Sequence, residues 1–189
     1  MPAIELRPGF FMFAIVLAAL DRSGSVLPIL CAMAVHELAH IVMMLACGGQ
    51  VRRLTLRFAD LQIAASGLGY RQELLSALAG PLVNLICGAA FCMQRPSFAA
   101  YSLMLGIYNL LPIWPLDGGR VLRCALLARL PVVQAEHVSE IVSFASCGVL
   151  LLAGLVLTFI KKAGFWPLGT AVYLTVRLLM LARRADAER

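Results

Sequence analysis

The chain has 189 residues, a formal net charge of +6, 61% hydrophobic residues and 14% charged ones, with a mean hydropathy of +0.89. Soluble domains average about 45–50% apolar and about 25% charged residues, so an ordinary cytosolic globule and a disordered chain are both excluded. The arginines sit beside long apolar stretches with no stacking module or basic recognition helix, which argues against nucleic acid as a partner and for a lipid bilayer.

In chain order, the first apolar run is Pro8–Leu20, short for a membrane span but extendable by Arg7 and Arg22 reaching toward headgroups. No small-residue cleavage site follows Leu20, so a cleaved signal peptide is not expected. Next comes Ser23–Gly49, interrupted by His36, Glu37 and His40. The uncharged runs Leu74–Gln94, Pro96–Leu116 and Ile141–Ile160 each reach the roughly 20 residues that cross a bilayer core of about 30 Å. Ala163–Ala182 follows, with Arg177 near one end. The expectation is a single all-α polytopic membrane domain over 1–189, with about six transmembrane helices and a core at about 26–120. With the N-terminus in the cytosol, twelve of the sixteen basic residues fall inside and four (Arg22, Arg95, Lys161, Lys162) outside, so both termini are expected in the cytosol.

Between the second and third runs, Leu54-Thr55-Leu56-Arg57-Phe58 alternates apolar and polar residues and Ile63 follows after Asp60. That pattern predicts a small β-hairpin on the cytosolic side. Arg120–His137 reads as an interfacial segment ending near Pro131. The cysteines (Cys31, Cys47, Cys87, Cys92, Cys124, Cys147) form no Cys-x-x-Cys pair and read as reduced, buried small hydrophobes.

The chemistry concentrates in His36-Glu37-Leu38-Ala39-His40. Positions i and i+4 share one helix face about 6 Å apart along the axis, so two imidazoles can grip one cation while the intervening carboxylate reaches a water held there. An acidic group at bilayer depth is unfavourable by about 2.5–3.5 kcal/mol, and three ionisable groups within about one turn call for a shared compensating partner. A catalytic zinc site takes three protein ligands and leaves a position open. The candidates for the third ligand are Asp117, His137, Glu136, Glu140 and Glu73. Asp117 ends the fourth uncharged run, in Asn109-Leu110-Leu111-Pro112-Ile113-Trp114-Pro115-Leu116-Asp117-Gly118-Gly119. The prolines interrupt helical hydrogen bonding, and irregular backbone at this depth is tolerated only in protein or beside a wet cavity. His137 reads as a surface residue at a helix start. If the second span exits near Gly48, His40 lies roughly 12 Å below the cytosolic face, and Asp117 closes a span travelling toward that face.

Three elements together resemble the site-2 protease family of intramembrane zinc metalloproteases. These are His36–His40, the Asn109…Pro112…Pro115…Asp117-Gly118 block, and Gly80-Pro81-Leu82-Val83-Asn84, which matches the family's Gly-x-x-x-Asn/Ser/Gly motif. The layout is similar to the branch containing the sporulation factor IV B protease, which processes a membrane-associated sigma-factor precursor. That branch often carries a CBS domain, and the envelope-stress branch a PDZ insertion; neither is expected here.

The resemblance implies Zn2+ held by His36, His40 and Asp117, with Glu37 as general base. It further implies that Asn109 positions the substrate strand or stabilises charge, and that Gly80 and Asn84 line the site, Asn84 as a hydrogen-bond donor. The implied substrates are transmembrane or membrane-associated proteins, cut in or near the cytosolic half of a bacterial cytoplasmic-type membrane, with membrane regulatory partners. Strand addition of an extended substrate onto Leu54–Phe58 follows from the same resemblance. Two competing classes remain: a non-proteolytic membrane protein that binds or transports a metal, and an inactive protease-like scaffold. A transporter marks an ion path across both leaflets, whereas these ligands cluster in one.

Overall fold

The computed structural model describes residues 3–6, 21, 24–56, 61–66, 68–162 and 164–187. The expected first span, Pro8–Leu20, lies outside the described residues. The chain divides into two compact units, residues 1–110 and 111–189.

In the first unit, strand β1 (Ala3–Leu6) precedes helix α1 (Val26–Ala46), and strands β2 (Gln50–Leu56) and β3 (Leu61–Ser66) lead to helices α2 (Tyr70–Ala90) and α3 (Pro96–Asn109). The Asp21 carboxylate accepts hydrogen bonds from the Ser25 and Val26 backbone N–H groups, satisfying donors that the start of α1 leaves unpaired. At its other end Gly48 takes φ +79°, a left-handed conformation that glycine adopts without a Cβ clash, and the chain turns into β2. Gln72 in the first turn of α2 reaches back to Gly69 N–H and donates to the carbonyl of Cys47 just past α1, so these two helix ends are tied.

Helix α1 buries Ala32, His36, His40 and Met44, a stripe of every fourth residue, and exposes large apolar side chains such as Leu38 (59%) and Val42 (57%) on its other faces. Helix α2 buries Ser76, Ala77, Ala79, Gly80, Pro81, Asn84 and Gly88. Small and polar residues inside, with bulky apolar residues outside, is the arrangement expected where hydrocarbon replaces water as solvent and close backbone approach drives helix packing. A Cβ on Gly88 would meet Leu103 at 2.4 Å, and one on Gly106 would meet the Pro81 carbonyl at 2.9 Å, so α2 and α3 touch almost backbone to backbone.

The strands form a sheet of order β1-β2-β3, with β1 parallel and β3 antiparallel to β2. Leu54 pairs with Ile4 on one side and Ile63 on the other. β2 is therefore the central strand, which corrects the expectation that Leu54–Phe58 offers a free edge to substrate; Arg57 and Phe58 lie outside the described residues.

The second unit comprises helices α4 (Asp117–Leu127), α5 (Val132–Leu155) and α6 (Trp166–Ala187), with α5 prolonged by a π-helical turn, Val156–Ile160. Pro131 precedes α5, where its missing N–H costs no helical bond. The expected interfacial segment thus resolves into helix α4 and the start of α5.

Among the described residues, three helices are long and apolar enough to cross a membrane: Val26–Ala46, Tyr70–Ala90 and Val132–Ile160. The chain is an integral membrane protein on that ground. One expected boundary is corrected. The run Pro96–Leu116 is helical only to Asn109, about 21 Å of helix, short of a bilayer core of about 30 Å. Pro112 disfavours helical backbone at Leu111, and the Trp114–Pro115 bond is cis. Hydropathy alone does not register where the helix ends. The cysteines are all free, but only Cys124 and Cys147 are buried; Cys31 is exposed on apolar helix α1 and Cys92 in the turn between α2 and α3, and an SH group is compatible with apolar surroundings.

Candidate metal centre

The helical i,i+4 spacing brings His36 and His40 together on the buried face of α1, with Nε2 atoms 3.1 Å apart and rings crossing nearly at right angles. Their outer nitrogens are each engaged by α2. His40 Nδ1 lies 2.6 Å from the carbonyl oxygen of Ser76. A carbonyl oxygen can only accept, so Nδ1 carries the proton and the Nε2 lone pair of His40 points at His36. Ser76 Oγ also faces the His40 carbonyl at 3.4 Å. His36 Nδ1 lies 3.2 Å from the Asn84 amide nitrogen. Orientation of a metal-binding imidazole through its other nitrogen is the usual supporting arrangement in metal sites.

Gly80 lies directly beneath the pair. A Cβ there would come within 2.3 Å of His40 Nε2 and 2.9 Å of His36 Cε1. The imidazoles therefore converge in a cradle that any side chain at position 80 would fill. Two convergent imidazole nitrogens, a cradle free of Cβ atoms and a buried carboxylate make a donor set that fits zinc.

Asp117, 9% exposed, is the first residue of α4 rather than the end of a span. Arg120, one turn on, lies 3.6 Å from a carboxylate oxygen. The preceding stretch is held within the second unit. The backbone N–H of Trp114 donates to Ser143 Oγ at 3.1 Å, and Ser143 Oγ donates to the Ser139 carbonyl at 2.8 Å. A Cβ on Gly119 would sit 2.6 Å from the Ile113 carbonyl group, so the second glycine after Asp117 lets the first turn of α4 close onto fully buried Ile113.

His36 and His40 are buried in the first unit, and Asp117 is buried at the start of α4 in the second. The other four candidates are not buried. Glu136 pairs with Arg123, whose guanidinium also stands 5.9 Å over the Trp114 ring. His137 and Glu140 are exposed on α5, as expected for His137, and Glu73 lies in the first turn of α2. Glu37 is half-buried beside the pair on α1. Asn109, the last residue of α3, donates its amide to the Leu105 carbonyl at 3.1 Å. One contribution is not legible as functional in the sequence, the Ser76 carbonyl, which selects the His40 tautomer; Asn84, expected to line the site, contacts His36. The signal available was the four-residue spacing Ser76, Gly80, Asn84, which matches the stripe on α1.

Residues 95–153 match the model of Peptidase family M50. The chain is 27% identical over 172 residues to the zinc metalloprotease MJ0392 of Methanocaldococcus jannaschii, covering 80% of this chain and 51% of that protein. It is 26% identical over 157 residues to the stage IV sporulation protein FB of Bacillus subtilis, covering 76% and 54%. The chain thus spans about half the length of these curated relatives. A solved structure, the site-2 protease from Methanocaldococcus jannaschii, superposes with a TM-score of 0.66 over 94% of this chain and 89% of the other, at 21% identity, a likeness of fold. Residues 95–153 are thus similar to Peptidase family M50, and the longer stretch is similar to proteins named as a zinc metalloprotease and a sporulation protein.

Proposed function

We propose that this chain is an intramembrane zinc metalloprotease that hydrolyses peptide bonds of single-span or membrane-associated proteins in the cytosolic half of the bilayer. The observation that carries the reading is the imidazole pair over Gly80; we assign Asp117, a buried carboxylate, as the third ligand. Similarity to a protein named a zinc metalloprotease supports it. The unit of function is a single membrane domain with its core at about 26–120, about six spans and both termini in the cytosol. Its positive residues support that orientation.

Zinc bound here would supply Lewis-acid polarisation and a water acidic enough to ionise near neutral pH. His36 and His40 would hold it through imidazole nitrogens and Asp117 through its carboxylate. Glu37, one residue along the helix, takes the proton from the attacking water and returns it to the leaving amine, a role worth about 10²–10⁴-fold in rate. Asn109, where α3 gives way to irregular backbone, steadies the extended substrate. That substrate must unwind, since helical carbonyls are hydrogen-bonded and shielded. A cytosolic-side β2–β3 hairpin provides for this, with β3 as the outer strand for strand addition. The narrower role, processing a sigma-factor precursor in sporulation, draws support from similarity to the stage IV sporulation protein FB.

The test is co-reconstitution of candidate single-span substrates with wild type and Glu37→Gln, with the cut mapped and zinc measured. Wild type should cut on the cytosolic side of the membrane, and Glu37→Gln should retain zinc while losing cleavage by about 10²-fold or more. Zinc flux without hydrolysis would replace the reading with metal transport. Undiminished cleavage by Glu37→Gln would remove Glu37 from the mechanism.

A further inference from the structure

Asn84 is 0% exposed, and its amide faces His36 Nδ1. With the amide nitrogen toward the ring, as it stands here, Nδ2–H donates to Nδ1 and the ring proton must lie on Nε2. That Nε2–H then donates to the lone pair of His40 Nε2 at 3.1 Å, closing a hydrogen-bonded pair with no lone pair left for a cation. The same orientation leaves Asn84 Oδ1 buried without a partner. It is one of two such side-chain atoms among the described residues, the other being Ser102 Oγ.

A half-turn of the terminal torsion exchanges the amide oxygen and nitrogen while leaving every other atom in place. Oδ1 then accepts from His36 Nδ1–H, and the His36 Nε2 lone pair is released toward His40. The amide NH2 then takes the buried position in which Oδ1 has no partner. His40 needs no such choice, because the Ser76 carbonyl allows it one tautomer only.

We propose that Asn84 is the positioning residue for His36, its amide orientation selecting between a metal-free histidine pair and a metal-binding one. This assigns Asn84 to a ligand rather than to the substrate, and makes it an acceptor in the loaded state. The proposal rests on the metal site of the preceding reading, though not on proteolysis. A carboxylate at position 84 would accept from Nδ1–H as the amide oxygen does, whereas an apolar side chain of similar size could not.

The experiment uses the full chain in detergent micelles labelled with ¹⁵N-histidine, which is tractable because there are only three histidines. Ring-nitrogen shifts are recorded with and without Zn2+, and zinc affinity is measured by chelator competition for wild type, Asn84→Asp and Asn84→Leu. The expected result is His36 protonated at Nδ1 and bound through Nε2 in the zinc form. Asn84→Asp should stay within about tenfold of wild type, and Asn84→Leu should weaken zinc binding by about 10–100-fold. Equal affinity for wild type and Asn84→Leu, or binding through Nδ1 of His36, overturns the assignment while the metal site stands. Absence of zinc binding by wild type overturns both. Should Asn84→Leu fail to fold, the wild-type ring-nitrogen assignment decides alone.

Discussion

The two units bury polar side chains in opposite ways. In residues 111–189, hydroxyls are satisfied by carbonyls close by in sequence: Ser143 by Ser139, Thr175 by Ala171, Thr158 by Gly164. Bonds of this kind let a polar residue enter an apolar helix at little cost, and Ser143 also serves a distant group, the Trp114 N–H. In residues 1–110, the buried polar groups reach 36 and 48 positions along the chain, from His40 to Ser76 and from His36 to Asn84. Both orphaned side-chain atoms among the described residues, Asn84 Oδ1 and Ser102 Oγ, lie there too. Self-satisfied polarity is packing. Polarity that spans helices and still leaves a buried atom without a partner is a site built for something else.

Three substitutions probe that contrast, beginning with the most severe. Gly80→Val would drive a side chain into the space of His40 Nε2, from which even a Cβ is only 2.3 Å away. Zinc binding and cleavage should both be abolished, with a loss of about 1–3 kcal/mol in stability from overpacking; metal analysis and thermal unfolding in detergent read the two separately. Stoichiometric zinc in that variant would mean the imidazoles do not converge over Gly80. Thr175→Val removes a hydroxyl that bonds within its own helix, so stability should change by less than about 1 kcal/mol and zinc content not at all. A loss of metal there would erase the distinction between the units. Weakest of all should be Glu136→Gln. The partly exposed pair with Arg123 is worth at most about 1 kcal/mol, and its loss should leave zinc titrations superimposable on wild type.

Much of the site was legible because its parts are local. His36, Glu37 and His40 fall within about one helical turn, so backbone geometry alone sets the two imidazoles side by side. Gly80 and Asn84 were legible as a motif, but their roles were not. Asn84 could be read as a donor toward substrate, and only the fold shows that its amide contacts His36. The end of the fourth apolar run was misread because hydropathy is blind to backbone conformation. Every residue from Pro96 to Leu116 is uncharged, yet helix α3 stops at Asn109 and Asp117 opens a new helix. The sheet was half legible: alternation marks Leu54 as strand, but the pairing of β1 that makes β2 central is a long-range contact with no local sign.

Composition and spacing determined, without any structure, that hydrocarbon is this chain's solvent and that two imidazoles share one face of a helix. Both are consequences of transfer free energy and covalent geometry, which each residue carries with it. Which nitrogen of each imidazole bears the proton was decided by the fold alone. The deciding atoms, a carbonyl at position 76 and an amide at position 84, arrive from another helix, and a tautomer is chosen by whatever stands within hydrogen-bond reach.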